Sequence, residues 1–291
     1  MRPLPPEDAV RHGPGDRPPR DPAPPPDPEA PRNALDALAR LHSHEAPRTA
    51  AAAIRTRQVQ LAYQPIVQAR DAEKVAFHEG LARVFDPQGR IIPARDFITE
   101  IEEEEAGRLL DCLALGKGLR VLARHRGIRL SLNLSARSIG FQKYTTLLSQ
   151  ALTADPGIAE RLILEVTEES ALRLPELVTD FMRHYGAEGV SFALDNFGAG
   201  PTNLRTLTRF PFDILKIDGG IMRGLSEEGE KQVLLRAVLA LARELDVFTI
   251  AQGIESQPDA ELAAEAGVDC LQGYFYAAPT LTPPWQPPGA G

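Results

Sequence analysis

The chain has 291 residues and a formal net charge of −8, and it contains no apolar run of the ~18 residues that a membrane-spanning helix needs. Nucleic acids bind cationic surfaces, and this acidic chain has no concentrated basic run, so it does not favour a nucleic-acid partner. Its two cysteines, Cys112 and Cys270, lie far apart and outside any metal-ligand spacing. We therefore predict a reduced, cytoplasmic protein that does not span a membrane.

The two ends of the chain differ in composition from its middle. Residues 1–32 hold 12 of the 26 prolines and almost no large apolar side chain, which predicts a disordered tail with polyproline character. Residues 33–49 are interpreted as a linker or short helix, and residues 283–291 as a second disordered tail. The remaining segment, residues 50–282, has roughly the length of one (β/α)8 barrel.

Eight strand-like segments follow one another along this middle part. They cover residues 61–67, 74–84, 128–135, 161–167, 190–197, 213–218, 247–254 and 269–275. Helical stretches separate most of them, and this alternation predicts a parallel sheet. The connection at residues 68–74 is too short for a helical crossover, so the first two strands are predicted to form an antiparallel hairpin. The predicted fold is an α/β, TIM-like (β/α)8 barrel with one antiparallel strand.

The clearest predicted helix covers residues 226–245. Ser226 is expected to cap its first turn, and the two glutamates that follow suit the positive end of the helix dipole. Its apolar side chains recur at helical spacing and are expected to form the buried face; they are Val233, Leu234, Ala237, Val238 and Leu241.

Nearly every predicted strand ends in a polar or charged residue. These strand ends carry Glu79, Asn133, Glu165, Asp195, Asn196, Lys216, Gln252 and Gln272. In a parallel barrel all carboxyl ends of the strands open onto one face, where active sites lie. Carboxylates, amides and one lysine on that face suit divalent metal ions and a phosphate ester.

A series of motifs resembles one known family. Residues 79–83 read Glu-Gly-Leu-Ala-Arg and resemble the Glu-X-Leu-X-Arg signature of EAL domains, the cyclic di-GMP phosphodiesterase family. Further segments resemble motifs of that family in the same order: residues 63–67, 133–135, 164–168, 195–200, 215–218, 251–255 and 272–274. The resemblance covers about residues 50–282. It implies a barrel that binds cyclic di-GMP and cleaves it to the linear dinucleotide with two Mg²⁺ or Mn²⁺ ions.

The resemblance also implies roles for individual residues. The first metal ion is expected at Glu79, Asn133, Glu165 and Asp195, and the second beside Asp195 and Asn196. The catalytic positions are those of Lys216, Glu79 and Gln252, with Lys216 orienting the water or steadying the phosphate. The expected ligand contacts are Gln64, Leu81, Arg83, Gln272 and Tyr274. The loop after strand five, which in the family couples the site to dimerisation, is expected to be supported by Glu168 and Glu255.

Two residues depart from the family pattern at the second metal ion. Asn196 stands where the family has an aspartate, and Gln252 where it has a glutamate. Each change removes one negative charge, and Mg²⁺ prefers ionised carboxylates. Gln252 also cannot act as a general base, because a carboxamide has no useful proton affinity near neutral pH. A third departure, Pro201 in place of the usual tyrosine, is expected to stiffen the coupling loop. We expect one metal site to be intact and the second to be impaired.

The leading hypothesis is an EAL-domain protein of bacterial cyclic di-GMP signalling that binds cyclic di-GMP, or a protein partner, and hydrolyses weakly or not at all. Two alternatives stay open: a working metal-dependent phosphodiesterase, and a protein-interaction barrel without nucleotide binding. Retention of Arg83, Lys216 and Gln272 argues against the second alternative, because a site abandoned by its ligand has no need of buried cations. A homodimer is kept as a further alternative.

Overall fold

The computed structural model describes the backbone of residues 34–200 and 208–285, and side chains from residue 45 onward within those ranges. The predicted tail at residues 1–32, the loop residue Pro201 and the last six residues lie outside the described part of the chain. Along the described part, none of the helices combines the length and the apolar character that crossing a membrane requires.

Strands and helices alternate from the first hairpin onward. The strands are β1 (Val59–Gln68), β2 (Asp71–Phe85), β3 (Ile91–Ile92), β4 (Leu130–Asn133), β5 (Leu162–Thr167), β6 (Ser191–Phe197), β7 (Ile214–Ile217), β8 (Phe248–Ala251) and β9 (Cys270–Leu271). The helices are α1 (Ala34–Arg55), α2 (Ile98–Ile101), α3 (Glu105–Arg124), α4 (Ala136–Ile139), α5 (Gln142–Ala154), α6 (Glu168–Arg173), α7 (Pro175–Ala187), α8 (Gly219–Met222), α9 (Gly229–Glu244) and α10 (Gln257–Ala266). Two 3-10 helices, Ala94–Asp96 and Pro156–Arg161, complete the described elements.

Within residues 34–200 and 208–285, eight strands close into a barrel, in the order β1-β9-β8-β7-β6-β5-β4-β2 with β2 returning to β1. All neighbours pair in parallel except β1, which runs antiparallel to both β2 and β9. The short strand β3 pairs with the far end of β2, outside the ring. The predicted TIM-like barrel with one antiparallel strand is confirmed.

The interior of the barrel is layered by the two-residue alternation of its strands. An apolar layer formed by Ile66, Phe77, Ile163, Ala193, Ile214, Ile250 and Cys270 fills the middle. Because successive side chains alternate between the two faces of a strand, the residues two positions further along face inward as well. On β2, β5 and β7 these next inward residues are Glu79, Glu165 and Lys216.

The predicted details of the longest late helix are partly wrong. Helix α9 begins after Glu228, and Ser226 donates its backbone and hydroxyl hydrogens to Asp259 Oδ1 instead of capping the helix. The buried residues are Leu235, Leu239 and Ala242, and the predicted Val238 and Leu241 pack half-buried against the core beside them. Val233 and Leu234, also predicted to be buried, are 57% and 47% exposed. Both sets recur at helical spacing, so periodicity alone could not decide where the buried face is centred.

The C-terminal segment packs along β1. Thr280 exchanges two backbone hydrogen bonds with Tyr63, and the ring of Trp285 lies 4.8 Å from that of Tyr63 and 4.9 Å from that of His78. Ordered packing therefore reaches at least Trp285, past the boundary predicted at residue 282. His78 contacts Trp285 on the face of β2 opposite to that of the neighbouring Glu79.

Candidate active site

Four charged side chains meet inside the barrel just above its apolar layer. Glu165 and Asp195 lie near the carboxyl ends of β5 and β6, Lys216 lies on β7, and Glu79 lies in the middle of the long strand β2, where β2 pairs with β4. All four are buried, and Lys216 has no exposed surface. Each is an inward-facing residue of its strand, so the alternation of the four strands brings the four charges together.

Lys216 stands at the centre of this cluster. Its Nζ donates to Glu165 Oε2 at 2.5 Å and to Glu79 Oε2 at 3.1 Å, and it lies 3.3 Å from Asp195 Oδ1. Burial alone lowers the pKa of Lys216, but the three surrounding carboxylates raise it well above its ordinary value. The lysine is therefore a permanent cation in the site.

The two glutamates of the cluster differ in their affinity for protons. Burial, and then the charge of Glu79, raise the pKa of Glu165 to about 8. Burial acts on Glu79 too, but the charge of Lys216 and hydrogen bonds from Gln272, Lys216 and Asn133 together lower its pKa. When all three carboxyl groups are ionised, they share one ammonium group and leave two negative charges in excess. The raised pKa of Glu165 means that this group keeps its proton near pH 7 until a bound cation displaces it.

This excess charge is what one divalent cation would balance. Glu165 Oε1 is buried without a hydrogen-bond partner, and Asn133 lies beside Glu79, with its Nδ2 3.2 Å from Glu79 Oε1. Hard oxygen donors of this kind suit Mg²⁺ or Mn²⁺. Glu79, Glu165 and Asp195 point towards Lys216. Among the residues that the structure describes, no group of three or more His, Cys, Asp or Glu side chains is already arranged to hold a metal ion.

The second metal position has a different donor set. Gln252 Nε2 donates to Asp195 Oδ1 at 2.9 Å, and Asn196 Nδ2 donates to Asp195 Oδ2 at 3.0 Å. Both oxygens of Asp195 therefore accept hydrogens from the two residues that depart from the family pattern. Asn196 has a left-handed backbone, with φ of 55°, which asparagine and aspartate both tolerate. Both amides turn hydrogens, and not oxygens, towards Asp195, whereas a divalent cation held by this carboxylate would need oxygen donors.

A row of amides connects the cluster to the C-terminal segment. Gln272 Nε2 donates to Glu79 Oε2 at 2.6 Å and to Gln64 Oε1 at 3.1 Å. Gln64 in turn donates to the carbonyl of Ala277 at 3.0 Å. Both glutamines are buried, so they hold Glu79 in place and form the wall of the site. Gln272 Oε1 remains without a partner.

A cavity of about 290 Å³ opens beside the cluster. It brings Leu81 and Arg83 together with Asn133 and Glu165, as the sequence predicted. Arg83 donates to the carbonyl of Ala82 at 3.1 Å, and no ion pair of Arg83 is found among the described side chains. Its remaining donors are thus free for an anion.

Asp111 of helix α3 lines the same cavity and was missed by the sequence reasoning. It accepts hydrogen bonds from the Ser135 backbone at 3.1 Å and from Ser138 Oγ at 2.7 Å. Burial raises the pKa of this carboxyl group to about 7. The available signal was an acidic residue between Leu110 and Cys112 in an otherwise apolar helical run.

Three predicted site residues are not drawn into the buried cluster. Tyr274 is 69% exposed, and Glu255 forms a surface ion pair with Arg223 at 3.6 Å. Glu168 begins helix α6 directly after β5. The loop that these glutamates were expected to support includes residues 201–207, which lie outside the described ranges. Their roles stay predictions.

The fold is thus a closed, mostly parallel barrel with a carboxylate–lysine cluster at the face where barrels of this kind carry their active sites. The model of the EAL domain family matches residues 48–279. The chain belongs to the EAL domain family.

Curated relatives support this assignment. An uncharacterised signalling protein of Caulobacter vibrioides is 33% identical over 220 residues, covering 75% of this chain and 27% of the relative. The probable cyclic di-GMP phosphodiesterase PdeN of Escherichia coli K12 is 30% identical over 232 residues, covering 78% of this chain and 44% of the relative. The chain therefore spans less than half the length of these relatives.

Solved structures show the same fold. The PaMucR phosphodiesterase in complex with c-di-GMP is similar with a TM-score of 0.68 and 28% identity, over 77% of this chain and 97% of that one. The EAL domain of FimX from Pseudomonas aeruginosa, bound to c-di-GMP, has a TM-score of 0.73 at 23% identity, over 81% of this chain and 97% of that one. At 23% identity, the similarity to the FimX EAL domain is evidence for the fold alone.

Proposed function

We propose that this EAL domain binds cyclic di-GMP at the carboxyl-terminal face of its barrel and hydrolyses it weakly or not at all. The observation that carries the proposal is the pair of hydrogen bonds from Gln252 and Asn196 to the two oxygens of Asp195. In an active two-metal site, a carboxylate in this position bridges cations. Here Asp195 accepts hydrogen bonds from two neutral amides instead.

Ligand binding is supported by the retained half of the site. The cavity beside the cluster combines Leu81 as an apolar contact with Arg83 as a donor that has no carboxylate partner among the described residues. An arginine fork suits a phosphodiester, since it offers two parallel donors to two oxygens. The relatives and structures that carry cyclic di-GMP in their names make this dinucleotide the first ligand to test.

One divalent cation belongs to this proposal. Glu79, Asn133, Glu165 and Asp195 would hold it, and it would supply Lewis acidity toward a phosphate oxygen. The charge count of the cluster supports a single ion, because three carboxylates and Lys216 leave an excess of two negative charges. The choice between Mg²⁺ and Mn²⁺ is part of the proposal.

Weak hydrolysis follows from the residues around Asp195. Gln252 cannot take a proton from water, since a carboxamide is not a base near neutral pH. Lys216 is held as a cation by its carboxylates, so it serves as a donor and cannot replace the missing base. The described site thus keeps groups that orient a phosphate and neutralise its charge. At the position of Gln252 it lacks a general base that would activate the attacking water.

Calorimetry with cyclic di-GMP, with and without Mn²⁺, tests binding, and chromatography of the same samples tests turnover. We expect a single binding event that Mn²⁺ strengthens and little linear dinucleotide after prolonged incubation. Arg83→Ala serves as the binding control. Rapid turnover of the unmodified chain would establish the working phosphodiesterase, and no binding under any condition would favour the interaction barrel.

The predicted cytoplasmic location remains part of this proposal. Cys112 and Cys270 are both buried and unpaired, as expected of a chain in a reducing compartment.

A further inference from the structure

A second cavity lies on the outer wall of the barrel. It measures about 790 Å³ and shares no lining residue with the cavity beside Glu165. Its walls come from the end of α1 and the turn after it, from α3 and from α5. Neither the comparisons nor the site described above gives this groove a role.

The rim of this groove is uniformly cationic. The basic residues that line it are Arg55, Arg57, Lys117, Arg120 and Lys143, and the lining contains no aspartate or glutamate. None of these five takes part in the ion pairs found among the described side chains. The chain as a whole carries a net charge of −8, so this groove is opposite in sign to the molecule that carries it.

The cations of the groove also disfavour one another. Burial lowers the pKa of Lys117, and the neighbouring charge of Arg120 lowers it further. Like charges that are brought together without a counter-charge cost free energy. A bound group of negative charge would relieve that cost.

The floor of the groove is apolar. Ile54, Leu113 and Leu147 contribute side chains to it. Gly116 lies on α3 and faces α5, and a Cβ atom at this position would be in ordinary contact with Leu147 at 3.4 Å and with the Arg120 guanidinium at 3.6 Å.

The basic surface continues along α3 into a neighbouring cavity of about 380 Å³. This cavity shares Lys117 and Arg120 with the groove, adds Arg124 and His125, and again has no acidic residue in its lining. The spacings of three and four residues between Lys117, Arg120 and Arg124 place the three cations on one stripe of the helix. We name the surface formed by these two cavities the α3 groove.

We propose that the α3 groove docks an acidic amphipathic helix of a partner protein. Such a helix would lay its apolar stripe on the floor and direct its carboxylates to the rim, which is the helix-in-groove mode of recognition. An apolar floor without any aromatic side chain in the larger cavity does not suit nucleic acid, whose bases stack on aromatic residues. The open groove has helices on both sides, so its shape matches a helical partner.

The sequence carried a signal for this surface that its overall charge concealed. Residues 112–154 contain seven Lys or Arg and no Asp or Glu. The cations are spread out along the chain, so they form no basic run, and folding brings those of residues 55–57, 117–124 and 143 together on one surface.

The probe is a synthetic helical peptide of roughly five turns, with leucines along one stripe and glutamates elsewhere. Its binding to the full chain is followed by fluorescence anisotropy. We expect saturable binding that weakens as salt is raised. The double variant Arg120→Glu/Lys143→Glu should weaken it at least ~10-fold, since it reverses two rim charges.

Two controls separate a groove from general attraction. Arg183→Glu/Arg236→Glu makes the same change in net charge on α7 and α9, outside the α3 groove, and should alter the affinity less than ~2-fold. A peptide with the same glutamates and with serines in place of leucines should not bind. Circular dichroism of both variants verifies their folding.

Three results would overturn the proposal: no binding of the leucine–glutamate peptide, equal weakening in both double variants, or undiminished binding of the serine peptide. A fourth result comes from competition with duplex DNA or anionic phospholipid vesicles in the same anisotropy experiment. If either competitor displaces the labelled peptide at a lower concentration than unlabelled peptide does, and binds Arg120→Glu/Lys143→Glu more weakly, the α3 groove is a polyanion-binding or membrane-binding surface instead.

Discussion

Gln252 donates its side-chain amide hydrogen to Asp195 Oδ1 over 2.9 Å, inside the barrel. A glutamate in the same place could not donate this bond, and two carboxylates at that distance would repel each other unless a cation lay between them. The glutamine thus stabilises Asp195 without metal. Asn196 does the same at the other oxygen. Both oxygens of Asp195 thus accept hydrogen bonds from neutral amides.

Loss of Arg83 should weaken binding of cyclic di-GMP. Arg83→Ala removes a donor that has no carboxylate partner among the described residues, and we expect a loss of about 1.5–3 kcal/mol, the range for a charge-assisted hydrogen bond. Arg83→Lys should recover only part of it, because lysine lacks the planar fork. Isothermal titration calorimetry measures both, with Arg95→Ala as the surface control. Unchanged affinity in Arg83→Ala would place the ligand elsewhere.

The protein should bind one divalent ion per chain. With Glu165 ionised, the three buried carboxylates around Lys216 leave two excess negative charges, which one Mn²⁺ balances and two would exceed. Titration with Mn²⁺ followed by electron paramagnetic resonance gives the stoichiometry. Glu165→Gln should reduce affinity by at least ~10-fold. Two ions of similar affinity in the unmodified chain would contradict the charge count.

Asp111 should make stability depend on pH. Burial raises its pKa from 3.8 to about 7, so the folded chain holds a proton that the unfolded chain has released. Stability attributable to this group is therefore present below about pH 4 and declines as pH rises towards 7. The slope is at most about 1.4 kcal/mol per pH unit, less for a carboxyl group that is only partly buried.

The matched variant for this effect is Asp111→Asn, whose amide oxygen can still accept from Ser138. Urea unfolding between pH 4 and pH 7 should show a flatter profile for the variant than for the unmodified chain. Identical profiles would mean that the Asp111 carboxyl group titrates at its ordinary pKa in the folded protein.

Trp285 should contribute to the stability of the barrel although it lies near the chain end. Its ring packs edge-on against Tyr63 and His78, and Trp285→Ala should cost about 1–3 kcal/mol, below the value for a fully buried tryptophan. Denaturant titration followed by circular dichroism measures the loss. Trp285→Phe, which keeps an aromatic ring, should restore more than half of it.

The barrel and its charged layer were predictable because both rest on local patterns. Apolar strands of period two end in polar residues, and a parallel barrel gathers those ends on one face; Glu79, Glu165 and Lys216 follow from this alone. The hairpin of β1 and β2 followed from the length of its connection. These features need no knowledge of long-range packing.

Other features depend on contacts that no local pattern contains. The buried face of α9 was only partly predicted, because Leu234 fits the helical spacing of Val238 and Leu241 and is nevertheless exposed, while Leu235 and Leu239 are buried. The bond from Gln252 to Asp195 joins the residue after β8 to β6, and the packing of Trp285 on Tyr63 joins the chain end to the first strand. Asp111 lines the cavity only because α3 packs over β4.

The most direct test of the central claim restores the two missing charges. Asn196→Asp and Gln252→Glu each return one carboxylate beside Asp195, and the left-handed backbone at residue 196 accepts aspartate. Because both changes act on one metal position, neither alone should suffice and their effects should be strongly non-additive.

The measurement is the rate of cyclic di-GMP hydrolysis in Mn²⁺ for the unmodified chain, both single variants and the double variant. We predict a gain of at least ~100-fold in the double variant, the low end of what one general base contributes, together with a second bound Mn²⁺. A double variant that binds substrate and two ions yet hydrolyses no faster than the unmodified chain would contradict the account.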